Sequence, residues 1–250
     1  MTCARRFLLA LAVTLAARSA SAGPPFRTDD PEPVEYGHWE VYGFSTATGV
    51  AGDTSGILPG VEVNYGAAPN LQLHLIAPLA FDAPSGAGLR SGYGDTELGA
   101  KYRFIEEDAA GWRPQIGIFP LIEAPTGDAH QNLGSGHLHE FLPLWVQKTV
   151  GDWTSYGGGG YGINPGAGNK NYWFAGWLLQ RQVTDALAIG GELFHQTADT
   201  AGGHDSTGFN LGGIYDFTDN YHLLLSAGRG LENAHATNEF SYYVAFQWTF

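Results

Sequence analysis

Eight charged residues have the spacing of a lined interior. Asp95, Glu97, Lys101 and Arg103 share one parity within "GDTELGAKYRF", and Glu62, Arg113, Glu123 and Glu192 each sit in a run with apolar residues at alternate positions. On a strand, residues two apart point to the same side. Acids and bases gathered on one side can form a polar constriction that sorts solutes by charge. They can also neutralise one another and simply fill an interior. Both readings stand on the residue types alone. Neither asks for a cofactor, and none is expected.

Other groupings suggest other chemistry and carry it less far. His137 and His139 would share a side, but no third ligand accompanies them, so no metal is expected. "GGHDSTG" sets His204, Asp205 and Ser206 side by side, whereas a nucleophile, its base and the orienting acid must converge in space. His195 in "ELFHQTAD" is where a barrel lipase would place its base, but the Ser-Asn that accompanies such a histidine is missing. "YGGGGYG", residues 156–162, has the glycine content of a phosphate loop without the Gly-Lys-Ser/Thr that follows one. Close approach of neighbouring strands or a side chain is the better account of those glycines. No catalytic residue is assigned.

The elements that must position these residues are strands. The chain ends on "FSYYVAFQWTF", with Phe240, Tyr242, Val244, Phe246, Trp248 and Phe250 at every second position. Period-two alternation marks a strand whose faces meet different media. The pattern recurs from His38 onward, near 38–49, 57–67, 70–82, 92–105, 112–124, 137–149, 153–163, 171–183, 186–197, 206–217, 221–229 and 239–250. That is about twelve strands, an even number, as bacterial outer-membrane barrels have. Tight turns such as "GAAPN", "TVGD", "VTDA" and "FTDN" alternate with broader loops around 50–56, 83–91, 125–136, 164–170, 198–205 and 230–238. The expected fold is all-β: a closed antiparallel transmembrane β-barrel with up-and-down meander order, short turns in the periplasm and loops outside.

A basic charge on the lipid face near the midplane costs roughly 2–4 kcal/mol, which sends the eight charged residues inward. Outward rows then contain Ile57, Val61, Val63 and Tyr65, or Leu98, Ala100, Tyr102 and Phe104. Aromatics near the turns, including Trp112, Trp153, Phe217, Tyr221 and Trp248, would form the interfacial girdle. Two strands resist assignment. Leu142 and Leu144 oppose Phe141 and Trp145, and Trp173, Trp177 and Leu179 oppose Phe174 and Leu178. An apolar stretch of interior wall would explain both, and so would a local bulge.

The front of the chain sets the compartment. Arg5 and Arg6, the apolar run Phe7–Ala17 and Ala20-Ser21-Ala22 read as a secretory signal cleaved after Ala22. Residues 1–22 are therefore excluded from the fold, 23–37 form an irregular, proline-rich periplasmic segment, and 38–250 form the barrel. The segment 23–37 would be mobile in the periplasm or folded into the barrel mouth. The single cysteine, Cys3, leaves with the signal. Without Arg5, Arg6 and Arg18, Lys+Arg falls from 12 to 9 against 25 acidic residues, a formal charge of −16. Such a surface disfavours nucleic acid. With 36 glycines, 13% aromatics and only 15% charged residues, the composition fits a membrane barrel better than a water-soluble enzyme.

Four stretches carry a family likeness: "FRTDDPEPVEYGHWEVYGF", "GDTELGAKYRF", "FPLIEAPTGD" with "LGSG", and "YGGGGYGINPG". They resemble the outer-membrane family named for the phenol-degradation meta-pathway, over nearly all of the mature chain. The resemblance implies an outer-membrane barrel and a channel for aromatic or other hydrophobic compounds, with no catalytic residues to transfer. Phe250 resembles the C-terminal aromatic signal read by the barrel-assembly machinery. The partners expected are outer-membrane lipid, that machinery and a small solute. The leading function is passive passage of small solutes. A barrel hydrolase of lipase or deacylase type and a structural barrel with a plugged lumen are the alternatives.

Overall fold

The computed structural model describes residues 25–108 and 111–250; the signal segment lies outside the described residues. Fourteen strands appear: β1 (Trp39–Val50), β2 (Asp53–Ala68), β3 (Leu71–Asp82), β4 (Arg90–Tyr93), β5 (Thr96–Ile105), β6 (Gln115–Ile118), β7 (Leu121–Ala124), β8 (His139–Val150), β9 (Trp153–Ile163), β10 (Tyr172–Thr184), β11 (Leu187–Gln196), β12 (Ser206–Asp216), β13 (Tyr221–Glu232) and β14 (Phe240–Thr249). β4 and β5 both pair with β3, and β6 and β7 both pair with β5 and β8, so each of these pairs is one interrupted stave. The result is a closed barrel of twelve staves in meander order.

Closure comes from the last strand. β14 pairs antiparallel with both β13 and β1. Trp39 N donates to Phe250 O at 2.8 Å and Phe250 N returns a bond to Trp39 O at 3.0 Å. Among the described strands no free sheet edge is left, whose unpaired backbone groups would each cost several kcal/mol in hydrocarbon. Among the described residues no helix is long and apolar enough to cross a membrane.

The alternation read from the sequence sorts into an outer and an inner face. Leu73, Leu75, Leu98, Ile118, Ile122, Leu142, Leu144, Leu179, Leu193, Leu211 and Leu225 are exposed on the outside. Inside, Asn64, Gln72, Gln115, Gln147, Gln180, Asn210 and Gln247 are buried. Aromatics gather toward the end that carries the C-terminus and the short turns. Trp39 stacks on Tyr65, Tyr221 on Trp248, and Trp248 lies 4.2 Å from Phe250. Trp112 is 93% exposed.

The two strands that resist assignment have an apolar inner wall. Trp145 and Leu178 are wholly buried inside the barrel, while Leu142, Leu144, Trp173, Trp177 and Leu179 are exposed. Phe119, Trp145, Phe174 and Phe194 form one internal cluster. Tyr42, Phe44, Ile214, Leu224 and Ala245 form a second. The glycine run in β9 makes room on both faces. A Cβ at Gly160 would lie 2.8 Å from the Phe141 ring of this wall, and one at Gly157 would lie 2.4 Å from the ring of the outward Trp177.

Two expectations fail for local reasons. Ile57 does not face outward: the register shifts between Ile57 and Gly60, so Ile57 packs on the inner cluster while Leu58 is exposed. One bulged position exchanges the faces of everything before it. The expected broad loop at 50–56 is a two-residue turn, Ala51-Gly52, with Val50 paired to Asp53. Gly52 there has φ 83°, a left-handed conformation that glycine adopts without steric cost.

Candidate functional site

The interior is not empty. Residues 25–37 run through it as an irregular strap from the wall at β13 to the foot of β2. Ser226 Oγ donates to Pro25 O, and at the far end Tyr36 bridges to Gly66, whose carbonyl accepts from Gly37 N at 2.8 Å. Of the two placements expected for this segment, the structure has the folded one. It goes beyond the mouth to mid-barrel, where the wall supplies partners for its backbone N–H groups and its charged side chains, while Thr28 Oγ1 and Asp30 Oδ2 are buried without a hydrogen-bond partner.

Those partners come from separate staves. The Glu192 carboxylate, 2% exposed, accepts from Arg27 N at 2.9 Å, Thr28 N at 2.8 Å and Asn210 Nδ2 at 2.7 Å. Lys101 Nζ donates to Asp29 Oδ1 at 2.9 Å, lies 3.6 Å from Asp30 Oδ1 and sits 5.0 Å from the centre of the Phe119 ring. Gln115 and Gln147 each donate to Glu32 Oε2 at 3.2 Å, and Arg103 Nη1 lies 3.9 Å from Glu32 Oε1. Gln72 Oε1 accepts from Val34 N at 2.9 Å. Two wall glycines give the strap its seat. A Cβ at Gly176 would lie 2.1 Å from Thr28 Oγ1, and one at Gly117 would lie 3.1 Å from Pro31 Cβ.

The strap divides the lumen. An outer cavity of about 490 Å³ is lined by Arg27, Thr46, Thr48, Asp199, His204 and Ser206. An inner cavity of about 850 Å³ is lined by Glu32, Glu40, Glu62, Lys101, Arg103 and His222, among others. Between them Thr28 and Asp30 have no solvent exposure. The strap is thus the thickness that separates the two cavities.

The eight charged residues are distributed unevenly around this partition. Glu192, Lys101 and Arg103 hold the strap. Glu62 and Glu97 meet at His74, which lies 3.6 Å from Glu62 and 2.9 Å from Glu97. Glu123 lies in the loop-side half, 3.4 Å from His139. Asp95 staples loops together, accepting from Gly127 N at 2.9 Å and Ser135 N at 2.6 Å. Arg113 is exposed at the short-turn end and donates to Glu106 O at 3.1 Å. It joins no constriction, because its strand starts only at Gln115.

The remaining groupings take separate paths. His137 bonds Asn164 at 2.9 Å, whereas His139 meets Glu123 and the Tyr172 hydroxyl at 3.1 Å. Among the described residues no group of three or more His, Cys, Asp or Glu side chains could hold a metal ion. Asp205 accepts from Ala198 N at 2.8 Å rather than from His204. His195 does meet a hydroxyl: Nδ1 is 2.9 Å from Thr207 Oγ1, and that hydroxyl donates to Glu232 Oε2 at 2.8 Å. In a nucleophilic triad the histidine stands between hydroxyl and acid. Here the hydroxyl stands between histidine and acid, so its proton is directed to the carboxylate.

The sequence reading missed Arg27, Asp29, Asp30 and Glu32, and the neutral partners Gln72, Gln115, Gln147 and Asn210. The amides lie on the same inward faces as the charges, which is the signal that could have found them. The acidic "TDDPEP" beside an interior holding Lys101 and Arg103 is a second such signal.

Residues 40–248 match the family model described as "Putative MetA-pathway of phenol degradation". The chain belongs to this family. No curated protein matches the sequence. Among solved structures, the fold of this family member is similar to that of an outer membrane channel from Pseudomonas putida F1. The TM-score is 0.69 at 19% identity, over 92% of this chain and 100% of that one. The translocator domain of the autotransporter NalP from Neisseria meningitidis gives a TM-score of 0.49 at 11% identity, over 85% and 87% of the two chains. At 19% identity the likeness to the Pseudomonas putida channel is one of fold.

Proposed function

We propose that the chain is an outer-membrane channel for passive passage of small solutes, closed by its own strap. The observation that carries this is the pair of cavities, about 490 and 850 Å³, that reach the strap from opposite mouths. Nothing covalent joins strap to wall between them. Its contacts there are hydrogen bonds, ion pairs and ring contacts, which water or a solute can replace. The family and the Pseudomonas putida structure, itself named a channel, support the same reading.

The solute class follows from the lining. The cluster of Phe119, Trp145, Phe174 and Phe194 suits aromatic or weakly polar molecules, and the acidic excess disfavours anions. Cleavage after Ala22 would deliver the chain to the periplasm, and Phe250 would present it to the assembly machinery. The exposed apolar face would then sit in outer-membrane lipid.

Liposome swelling tests the proposal with phenols, sugars and amino acids, comparing the full mature chain with a form lacking the strap. Uptake that rises on strap removal is the expected result. The lack of any solvent exposure at Thr28 and Asp30 favours the second reading, a permanently plugged structural barrel. No current and no swelling in either form would establish that reading instead.

A further inference from the structure

The strap's one arginine occupies a cup in the wall. Its guanidinium carbon lies 4.5 Å from the centre of the Phe194 ring and 5.4 Å from that of Phe174. Those rings stack on each other at 6.3 Å and are almost wholly buried. Arg27 Nη2 donates to Gln196 Oε1 at 2.9 Å. The buried Glu192 carboxylate, two residues before Phe194 on the same inward face of β11, accepts from the strap's Arg27 and Thr28 N–H groups and from Asn210. Arg27 itself is exposed to the outer cavity that it lines. Two ring faces, a buried negative charge and one amide oxygen form a receptor for a cation with a flat or apolar body. The chain's own side chain fills it, and the outer cavity leads to it.

We infer that this cup is a binding site for organic cations, such as aromatic quaternary ammonium or amidinium compounds, and that Arg27 is its resident stand-in. The inference rests on the channel reading, since it names a solute class for the same lumen. A cation entering from the outer mouth meets the cup first and must displace the Arg27 head to bind. Only the head need move, because Glu192 holds the strap by backbone groups that a side-chain exchange leaves in place.

Isothermal titration in detergent with phenyltrimethylammonium tests the cup, with tert-butylbenzene as the uncharged comparison. Arg27→Ala empties the cup and leaves its walls intact. The variant should bind the cation at least ~10-fold more tightly than the natural chain, the scale of a desolvated cation–ring contact. Adding Phe194→Leu to that variant should remove most of the gain, and so should adding Glu192→Gln. Heat-modifiable migration on gels reports whether each barrel is folded, and the leucine variant covers a failure of the glutamine one. Equal affinity of Arg27→Ala and the natural chain would overturn the inference, as would equal binding of the uncharged compound. Swelling assays on the same proteins keep the two claims apart. Solute passage without cation binding sinks the cup alone; cation binding without passage sinks the channel alone.

Discussion

Replacing Lys101 with methionine should release the strap without opening the barrel wall. Lys101 is 3% exposed and is the cation nearest both Asp29 and Asp30, at 2.9 and 3.6 Å. Methionine keeps much of the volume against Phe119 but leaves two acids in the interior, one of them without solvent exposure. Removing one partner of a buried pair costs about 3–5 kcal/mol. The wall does not share that cost, because its ladder of backbone bonds is untouched. The cost falls on the seated strap. At about 1.4 kcal/mol per tenfold, the ratio of seated to released strap should fall by at least ~100-fold.

The only cysteine is Cys3, within the expected signal, so Thr28→Cys gives a mature chain with a single thiol at a position without solvent exposure. Its rate of reaction with a water-soluble maleimide reads the released fraction. That rate should rise by ~100-fold or more when Lys101→Met is added, and ion conductance should rise with it. Neutralising both acids with Asp29→Asn and Asp30→Asn in the same chain should restore most of the protection. An unchanged labelling rate in a barrel that still migrates as folded would refute the argument that this pair holds the strap.

Gly176→Ala should have the same labelling signature, since the added Cβ would lie 2.1 Å from Thr28 Oγ1; a Thr28→Gly partner change, followed by conductance, should reverse it. Leu211→Lys puts a charge at an outer position that is 63% exposed and should destabilise the barrel in vesicles by roughly 2–4 kcal/mol in urea unfolding. Phe250→Ala keeps the backbone bonds to Trp39, so purified protein should still refold in detergent while its recovery from outer membranes of living cells drops; full recovery would remove the role given to that ring.

What was legible in the sequence is whatever depends on one residue and its second neighbour. Leu211 beside Asn210 declares two media, and so do Leu98 and Glu97; twelve staves and most of their faces follow from such pairs. What was not legible is the set of meetings between distant segments. Lys101 and Asp29 are 72 residues apart, and nothing local in either tells that they touch. The bulge that turns Ile57 inward arises where the strand's pairing register shifts on both sides, so the alternation of β2 alone misplaces it. Arg113 shows the opposite error. Its parity is right for the interior, but parity has no meaning before the strand begins.

The way the strap is held also bears on whether it is meant to stay. A permanent plug is most simply made of apolar side chains, since replacing a buried ion pair with well-packed hydrophobes is often neutral or stabilising. This strap instead brings Arg27, Asp29, Asp30 and Glu32 into an interior that answers each with a polar partner. Such contacts fix position closely, yet their net gain over water is small once solvent can reach both partners. A cavity already opens on each side of the partition. A strap lifted at one end would be hydrated as it leaves, and the amides left on the wall would be hydrated with it. In the membrane setting proposed above the wall has no such exchange available, because backbone groups freed there would find no water. On that proposal the same polar bonding is exchangeable in the strap and locked in the barrel, the division of labour that a closable pore requires.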